Sequence, residues 1–505
     1  PPTASADRSN IPQGGVAELL EFIENLEIFR PKTREEYGEH RRRAPEAIKA
    51  AADRGIAVIV SVDCGVSSHQ EAEIARQHGV DLIVTDHHQV PSTLPQAIAV
   101  INPQRKDSGF PFQPLAGVGV AFFLLIALRK ALREADWFKQ RPKPDLRDYL
   151  DLVALGTVAD LVPLDRNNRV LVQQGMQRIR AGRCRPGIRA LLDFAGRNPA
   201  RLVAADFCFG VGPRLNAAGR LDDMSLGIEC LLCEDQARAR ELAAQLDALN
   251  RERREIETDM KTRALEHVAA MHLDARQLPL GLCLYDPQWH QGVIGILAAR
   301  IKEQFHRPVI AFAAAGGGEL KGSARSIPGL HIRDTLAAVA ARHPGLLQKF
   351  GGHAMAAGLS LAEPCLGDFR QALEEELEAR LDVTALQGVI ESDGELQADD
   401  FCLEFSELLR AAGPWGQDFP EPLFDGVFTV LNQRVVGGRH LKLSVRSAQG
   451  ARVLDAIAFQ QADVGPLREG QQVRMVYRLD SNEYRGLLGL QLVVDFIQPL
   501  DDGSH

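Results

Sequence analysis

The first clear pattern along the chain is an alternation of apolar runs with helical segments, which begins near residue 46. PEAIKAAADRG has the period of a helix, IAVIVSVDCG is a short apolar run, HQEAEIARQHG is helical again, and VDLIVTDHH and AIAVINP are further apolar runs. Strands that are apolar almost throughout are typical of parallel sheets covered by helices on both faces. The pattern therefore predicts a parallel, doubly wound α/β sheet.

A helical region, a connector and a second α/β region follow this sheet. Residues 114–195 are mostly helical in pattern, and residues 236–270 contain neither Gly nor Pro, which predicts one long connector helix. Between LGLCLYD and AAGLSLAE the pattern predicts a second α/β region, with strands near 281–285, 309–313 and 320–325.

The last part of the chain alternates like a small antiparallel barrel. Its five runs are LFDGVFTVLNQRVVGG, HLKLSVRS, VLDAIAFQ, QQVRMVYRLDSNEY and LQLVVDFIQPL. Five strands fit an oligonucleotide/oligosaccharide-binding (OB) barrel. The predicted organisation is an N-terminal α/β domain at 1–235, a connector helix at 236–270, a second α/β domain at 271–385 and an OB-like domain at 386–505.

Composition narrows the class of protein. A chain of 505 residues with 45% hydrophobic and 25% charged residues is typical of a globular protein with about three domains. We find no apolar run long enough for a membrane span and no secretory signal pattern at PPTASADRSN, and we expect a cytoplasmic protein without a membrane partner. Eight scattered cysteines suggest reduced thiols, and the Cys230–Cys233 pair is interpreted as helix packing in preference to a metal or redox site. A net charge of −9 argues against a generally basic binder but is compatible with a local basic groove.

Carboxylates and imidazoles collect where the predicted strands end. Asp63 closes the first apolar run, and Asp86, His87 and His88 close the second. In a parallel sheet both ends lie at the same rim, where ligands bind. Asp160 ends a further apolar stretch, LVALGTVADLVPL. A lone aspartate there is usually a cap, whereas several carboxylates beside imidazoles favour a site for Mn²⁺ or Mg²⁺, with zinc as the alternative.

Three later motifs carry candidate phosphate-binding side chains. KFGGHAMAAGLSL places His353 after two glycines, although a tight turn would explain the glycines equally well. LKGSARSIPG offers Ser323 and Arg325 at the end of a strand as a phosphate pocket. GVGPRLNAAGRLDD, for which a structural loop is an equally good interpretation, contributes Arg214, Asn216 and Arg220.

Several motifs together resemble a known family. VTDHH is the signature of the DHH phosphoesterase superfamily, and GGHAMAAG is similar to the glycine-histidine motif of its associated C-terminal domain. In order along residues 46–500, the chain resembles the RecJ-like single-strand-specific exonucleases through LAGVGVAF, LVALGTVADLVPL, GPRLNAAGRLDD, WHQGVIGILAARIKEQFHRPVIAF and AGPWGQDFPEPLF. The resemblance implies a metal-dependent 5′-to-3′ exonuclease that hydrolyses single-stranded DNA to mononucleotides in DNA repair and recombination. It also implies a single-strand-binding protein and a helicase as partners that supply substrate.

The resemblance also implies a role for each matched residue in the first domain. Asp63 matches the carboxylate that bridges two metals, and His87 and Asp160 match further ligands of one of them. Asp86 matches a catalytic residue that supports the histidines, either as a ligand or from behind them. His88 matches the catalytic residue that faces the substrate phosphate.

In the second domain, the family implies that His353 clamps the scissile phosphate. Ser323 and Arg325 resemble the pocket for the terminal 5′ phosphate, which would limit attack to chain ends. The residues expected to contribute to substrate binding from the first domain are Arg214, Asn216 and Arg220.

One departure concerns the family's first strand, which ends in an Asp-x-Asp motif that supplies ligands to both metals. Before Asp63 the chain has only Asp7 and Asp53, and neither lies in such a motif. Residues 11–29 have the pattern of the helix that precedes that strand, and RPKTREEYGE resembles the loop well after it. By analogy, one metal keeps three protein ligands and the other keeps only Asp63, and we expect weak metal binding and an exposed sheet edge.

Two functions from different classes remain open at this point. The retained metal ligands favour the exonuclease, while the missing motif favours a catalytically impaired scaffold that binds single-stranded DNA. A phosphodiesterase for short oligonucleotides or cyclic dinucleotides is a third alternative, but small substrates need no barrel for extended binding.

Overall fold

The computed structural model describes residues 34–270, 279–462, 465, 467–484 and 486–500. The helix predicted for 11–29 lies outside the described residues. Helices longer than one or two turns are α1 (Arg34–Asp53), α2 (His69–Gln77), α3 (Gly117–Glu134), α4 (Leu150–Ala159), α5 (Arg166–Arg180), α6 (Pro186–Phe194), α7 (Gly212–Leu221), α8 (Ser225–Leu232), α9 (Gln236–Ala270), α10 (Ile294–Phe305), α11 (Ile332–Arg342), α12 (Leu366–Arg380) and α13 (Leu403–Ala412). Shorter helical turns lie at Trp137–Lys139, Leu146–Tyr149, Pro199–Arg201, Ala204–Asp206, Phe207–Val211, Glu363–Cys365, Val383–Leu386 and Ala398–Asp400.

Thirteen strands are present in the described part of the chain, and they form two sheets and one barrel. They are β1 (Val58–Val62), β2 (Asp81–Thr85), β3 (Ala99–Ile101), β4 (Leu282–Tyr285), β5 (Val309–Ala314), β6 (Glu319–Arg325), β7 (Lys349–Gly352), β8 (Ala356–Ala362), β9 (Phe424–Val436), β10 (His440–Ser447), β11 (Val453–Ala458), β12 (Gln472–Tyr484) and β13 (Leu487–Pro499).

The first sheet is parallel, as predicted, with the strand order β1-β2-β3. Val58 pairs with Asp81, and Ile48 of α1 and Ala75 of α2 pack against Val84 of β2. Within the described residues β1 hydrogen-bonds only to β2, so it forms an edge of the sheet. The carboxyl ends of β1 and β2 therefore meet at one rim, where Asp63 and Asp86 follow them.

The long helix α9 has the predicted range and joins two separate cores. In its first half, Leu242 and Leu246 are fully buried with α5, α6 and α7 in the core of the first domain. In its second half, Met260 and Ala264 pack with β4, β5 and α10 of the second domain. One continuous helix thus holds both domains against its two ends.

The cysteines behave as packed or surface thiols. All eight are free, and Cys230 is fully buried, where desolvation raises the pKa of its thiol to about 11. The Sγ atom of Cys233 lies 3.3 Å from the carbonyl oxygen of Asp235. Cys230 lies in the core of the first domain and Cys233 packs against that core, which is compatible with the interpretation of this pair as helix packing.

The second α/β domain contains a mixed five-stranded sheet in the order β4-β5-β6-β8-β7. Only β4 and β5 are parallel, and the hairpin β7–β8 adds two strands to the three predicted from the sequence. Helices α11 and α12 cover one face, while α10 and the end of α9 cover the other.

The C-terminal strands close into a five-stranded barrel in the order β10-β11-β13-β12-β9. The predicted five-stranded barrel is confirmed, but β11 and β13 run parallel, whereas an antiparallel barrel was expected. A closed ring with an odd number of strands cannot reverse direction at every pair, so one pair must be parallel. Tyr477, Phe428 and Phe401 fill the barrel core.

Among the described helices, none is both long enough and apolar enough to cross a membrane.

Candidate functional site

Asp63 is held at the rim of the first sheet by an unusual backbone conformation. It follows β1 with φ of 65°, in the left-handed region that Asp tolerates better than bulky residues do. Its carboxylate lies against Gly117 at the start of α3, and a Cβ atom at position 117 would overlap Asp63 Oδ1. The glycine therefore lets the carboxylate approach the positive end of the helix dipole.

One imidazole connects two carboxylates that lie far apart in the sequence. His87 follows β2, and its Nε2 atom is 3.0 Å from Asp63 Oδ1 and 3.5 Å from Asp160 Oδ2. Asp160 caps the C-terminal end of α4, and the His87 ring is almost buried between the two acids. The structure thus brings the three predicted metal ligands into one cluster.

The pKa values of His87 and Asp160 are both raised in this cluster, in which negatively charged groups lie close together. The hydrogen bond with Asp63 raises the pKa of His87, against the effect of burial, and the charge of Asp160 adds to the rise. Burial raises the pKa of Asp160, and the nearby charge of Asp63 adds to this, while His87 opposes it. A site that attracts a proton in this way also attracts a divalent cation, which competes with protons for the same donors.

The donor set fits a hard divalent ion. Asp63, His87 and His88 each offer one ligand atom, and these three atoms lie within 4.8 Å of one another. Together with Asp160, the set contains carboxylate oxygens and imidazole nitrogens, which suit Mn²⁺ and Mg²⁺.

Asp86 is buried and supports the site from behind. Its Oδ2 atom accepts the Val66 N–H at 2.9 Å, and its Oδ1 atom accepts the backbone N–H groups of His87 and His88 at 2.7 and 3.0 Å. The Nδ1 atom of His88 lies 2.7 Å from the same Oδ1. Burial by itself would raise the pKa of Asp86, but the hydrogen bonds outweigh burial and lower it. Of the two alternatives left open for Asp86, this geometry favours support of the histidines over metal ligation.

Two residues that the sequence analysis missed fix the peptide groups of the two histidines. Asn102 donates to the His88 carbonyl at 2.9 Å, and Gln104 donates to the His87 carbonyl at 2.5 Å. The signal was available, because INPQR continues β3, whose carboxyl end lies at the same rim. Polar residues that follow a third parallel strand lie at the rim where ligands bind, which makes them candidates for the same site.

Ser323 and Arg325 form a cradle against the first turn of α10. Arg325 Nη1 donates to Ser323 Oγ at 3.0 Å. A Cβ atom at Gly295 of α10 would lie 2.9 Å from Arg325 Nη2 and 3.0 Å from Ser323 Oγ. A hydroxyl, a guanidinium and a helix N-terminus converge here, which is the chemistry of a phosphate site.

His353 is exposed in the turn between β7 and β8. Its backbone N–H donates to the Ala356 carbonyl at 2.8 Å, and Gly352 adopts φ of 145°, where a Cβ atom would overlap that carbonyl. Ala356 pairs with Arg325 of β6, so the turn adjoins the cradle. Among the described hydrogen bonds and ion pairs, none joins His353 to the metal cluster.

The three residues of GVGPRLNAAGRLDD have different surroundings. Arg214 is buried, and its guanidinium donates to Asp247 at 2.9 Å and to the carbonyls of Gly210 and Phe194 at 2.7 and 3.0 Å. This placement corrects the prediction of a substrate contact for Arg214, because its donors tie α7 to α9 and α6. Asn216 of α7 is exposed. Arg220 donates from Nη1 to the Gly292 carbonyl of the second domain at 2.8 Å.

Comparisons with known proteins agree on the family. The DHH family N-terminal domain matches residues 13–157, the DHHA1 domain matches 278–379 and the RecJ OB domain matches 392–495. The chain is 55% identical over 460 residues to the single-stranded-DNA-specific exonuclease RecJ of Dickeya dadantii, and 54% identical over 460 residues to that of Escherichia coli. Each of these alignments covers 90% of this chain and 80% of the relative.

Solved structures give the same result. The crystal structure of Thermus thermophilus RecJ in complex with Mn²⁺ is 30% identical, with a TM-score of 0.72, and the match covers 91% of this chain and 64% of that one. A structure of exonuclease RecJ bound to manganese is 33% identical, with a TM-score of 0.54, and the match covers 69% of this chain and 80% of that one. Because three matched domains occur in order and the chain is 55% identical to a relative of which it covers 80%, it belongs to the RecJ family of single-stranded-DNA-specific exonucleases.

Proposed function

We propose that this protein is a metal-dependent exonuclease that removes mononucleotides from the 5′ end of single-stranded DNA. The observation that carries this proposal is the contact of His87 with both Asp63 and Asp160 at the rim of the first sheet. The relatives named above are exonucleases that act on single-stranded DNA, and related structures hold Mn²⁺ or Mg²⁺.

The first domain would hold the metal through Asp63, His87 and Asp160. A bound Mn²⁺ or Mg²⁺ supplies Lewis acidity, which activates water and neutralises charge on the reacting phosphate. Gly117 and Gln104 maintain the ligand positions, the first by leaving room for Asp63 and the second by holding the His87 peptide.

His88 would face the reacting phosphate with a fixed ring orientation. A carboxylate only accepts, so the contact with Asp86 Oδ1 requires the proton of His88 on Nδ1. The Nε2 atom then points away from Asp86, and 47% of the His88 side chain is exposed. Asp86 thereby sets which nitrogen of His88 meets the metal site or the substrate.

The second domain would bind the DNA end. Ser323 and Arg325 take the terminal 5′ phosphate against the start of α10, which limits hydrolysis to strand ends. His353 would clamp the scissile phosphate from the adjoining turn. Asn216 and Arg220 would contribute to binding from the first domain, and Arg220 already reaches the second.

We further propose that the described ligands fill one metal position and that Asp63 alone contributes to a second. We expect a titration with Mn²⁺, followed by electron paramagnetic resonance, to show one ion bound per chain, because three protein donors converge at a single position among the described residues. Asp160→Ala should weaken that binding, and Asp165→Ala is the matched control, since Asp165 instead caps α5. Two ions of equal affinity would contradict the expected ligand count.

The decisive test of function is degradation of a 5′-phosphorylated single strand in Mn²⁺. The parent protein should shorten a strand labelled at its 3′ end step by step and leave a duplex intact, whereas Asp160→Ala should not shorten either. Hydrolysis by both proteins would mean that the metal assignment is wrong. Binding without hydrolysis by both would instead support the non-catalytic scaffold.

We also propose a cellular setting. The substrate would come from a helicase or a single-strand-binding protein during DNA repair and recombination in the cytoplasm, and the eight free thiols are compatible with a reducing compartment. Cosedimentation with a single-strand-binding protein, with and without DNA, tests the partner.

We also propose domain limits at residues 235, 270 and 385, which limited proteolysis can test.

A further inference from the structure

The loop before α10 carries an imidazole whose tautomer is fixed by the backbone. The Gly292 N–H donates to His290 Nδ1 at 3.1 Å. A backbone N–H can only donate, so Nδ1 must be free of a proton and the neutral ring carries its proton on Nε2. His290 is exposed, and its ring therefore presents one neutral N–H donor.

His290 lies at the seam between the first domain and the phosphate cradle. Arg220 Nη1 donates to the Gly292 carbonyl at 2.8 Å. A Cβ atom at Gly292 would lie 2.6 Å from the Arg220 carbonyl oxygen and 3.1 Å from both Cε1 and Nδ1 of His290. The imidazole and the Arg220 backbone of the first domain therefore adjoin the same glycine.

The cradle begins three residues further along the chain. Gly295, in the first turn of α10, faces Ser323 Oγ and Arg325 Nη2 across the helix surface. Gly292 thus lets the first domain approach the start of α10 closely, and Gly295 lets the cradle approach the same end of the helix. The loop that carries His290 and the cradle therefore meet at the same end of α10.

We propose that His290 is a substrate-binding residue that donates its Nε2–H to a backbone phosphate of single-stranded DNA beside the terminal phosphate. This inference rests on the proposed function, because it assumes that the cradle holds a DNA end. The donor is uncharged, so it sets the register of the strand through a directional hydrogen bond more than through long-range attraction.

The test compares three variants on a 5′-phosphorylated single strand. His290→Ala should raise KM about tenfold and leave kcat within about twofold, which is the effect of losing one hydrogen bond to a charged acceptor. His290→Asn separates binding from a role in the turn. Its Oδ1 atom can accept the Gly292 N–H as in an Asx-turn, but its amide nitrogen does not reach the position of the ring Nε2. His343→Ala, at an exposed histidine after α11, is the matched control and should behave as the parent.

A purely structural role would restore KM in His290→Asn, and this result would overturn the proposal, as would a parental KM in His290→Ala. Fluorescence anisotropy of the same strand in the absence of divalent ions provides a readout that does not need catalysis. If the parent protein binds DNA in this assay but does not digest the strand when Mn²⁺ is added, the proposed function fails. Weaker binding by both His290 variants would still support the contact.

Discussion

The carboxylate of Asp86 organises the rim of the first sheet through hydrogen bonds to its own segment of the chain and to Val66. It accepts three backbone N–H groups and contacts the His88 ring, and it is almost completely buried. The sequence VTDHH places three metal-type residues side by side, but it does not tell which of them binds an ion. The structure separates them, because the side chain of Asp86 turns back onto the chain while His87 points outward to Asp63 and Asp160.

We expect Asp86→Ala to destabilise the first domain by about 3 kcal/mol or more, because three backbone N–H groups, two of them buried, lose a charged acceptor. Hydrogen exchange of the β1 and β2 amides in increasing urea measures this loss directly. Asp81→Ala, at an exposed position of β2, is the control and should leave the exchange nearly unchanged. If the two variants exchange alike, the hydrogen bonds of Asp86 do not stabilise the rim.

The junction of β1 with α3 shows how two elements position one ligand. Asp63 ends the strand in a left-handed conformation, and Gly117 starts the helix that receives its carboxylate. The motif LAGVGVAF lies at the start of α3, whose buried face includes Val120 and Phe122. The lack of a side chain at Gly117 is explained by the Asp63 carboxylate, which packs directly against this position.

Gly117→Ala should lower nuclease activity roughly 100-fold while the protein stays folded, because a methyl group would displace the Asp63 carboxylate from its place beside His87. Alanine is a better helix former than glycine, so loss of α3 would not explain a fall in activity. Gly109→Ala is the matched control, since a Cβ atom there meets nothing within 4 Å. The measurements are steady-state hydrolysis rates and Mn²⁺ affinity, with circular dichroism as a check that each variant is folded. Full activity in Gly117→Ala would contradict the proposed clash between a side chain at position 117 and the Asp63 carboxylate.

The barrel is attached to the first domain by polar contacts. Arg201 Nη2 donates to Ser481 Oγ at 2.8 Å, and Arg410 donates to Asp480 at 2.9 Å and to the Arg201 carbonyl at 2.6 Å. A second contact joins the Leu164 N–H to the Gln417 carbonyl at 2.7 Å, with Arg169 lying 3.8 Å over the ring of Phe419. These contacts join the barrel domain directly to the first domain.

We expect the double variant Arg201→Ala/Arg410→Ala to bind strands of about 30 nucleotides several-fold more weakly, with little change for strands of about six nucleotides. We expect long strands to gain affinity by contacting both the cradle and the barrel, and we expect this gain to be lost when the barrel is free to move. Arg474→Ala is the control, because Arg474 pairs with Asp425 inside the barrel domain. Equal weakening for both lengths would show that the interface does not act through barrel position.

The local pattern of apolar and polar residues was sufficient to predict much of the architecture. The parallel strands, the helix at Gln236–Ala270 and the five barrel strands follow from periodicity and from where Gly and Pro are absent, because these preferences act over a few neighbouring residues. Residue type also indicated a metal site at the ends of β1 and β2, since the direction of parallel strands places their ends at one rim.

Contacts between distant segments could be found only in the folded chain. The pairing of Arg214 with Asp247, the parallel pair β11–β13 and the contact of Arg220 with Gly292 each join residues more than 30 positions apart. The sequence does not distinguish a buried arginine from an exposed one. Packing decides whether a guanidinium is buried against a carboxylate or exposed and able to contact DNA. The roles of Asp86, Arg214 and His290 therefore depend on which backbone and charged groups the tertiary fold brings within hydrogen-bonding distance.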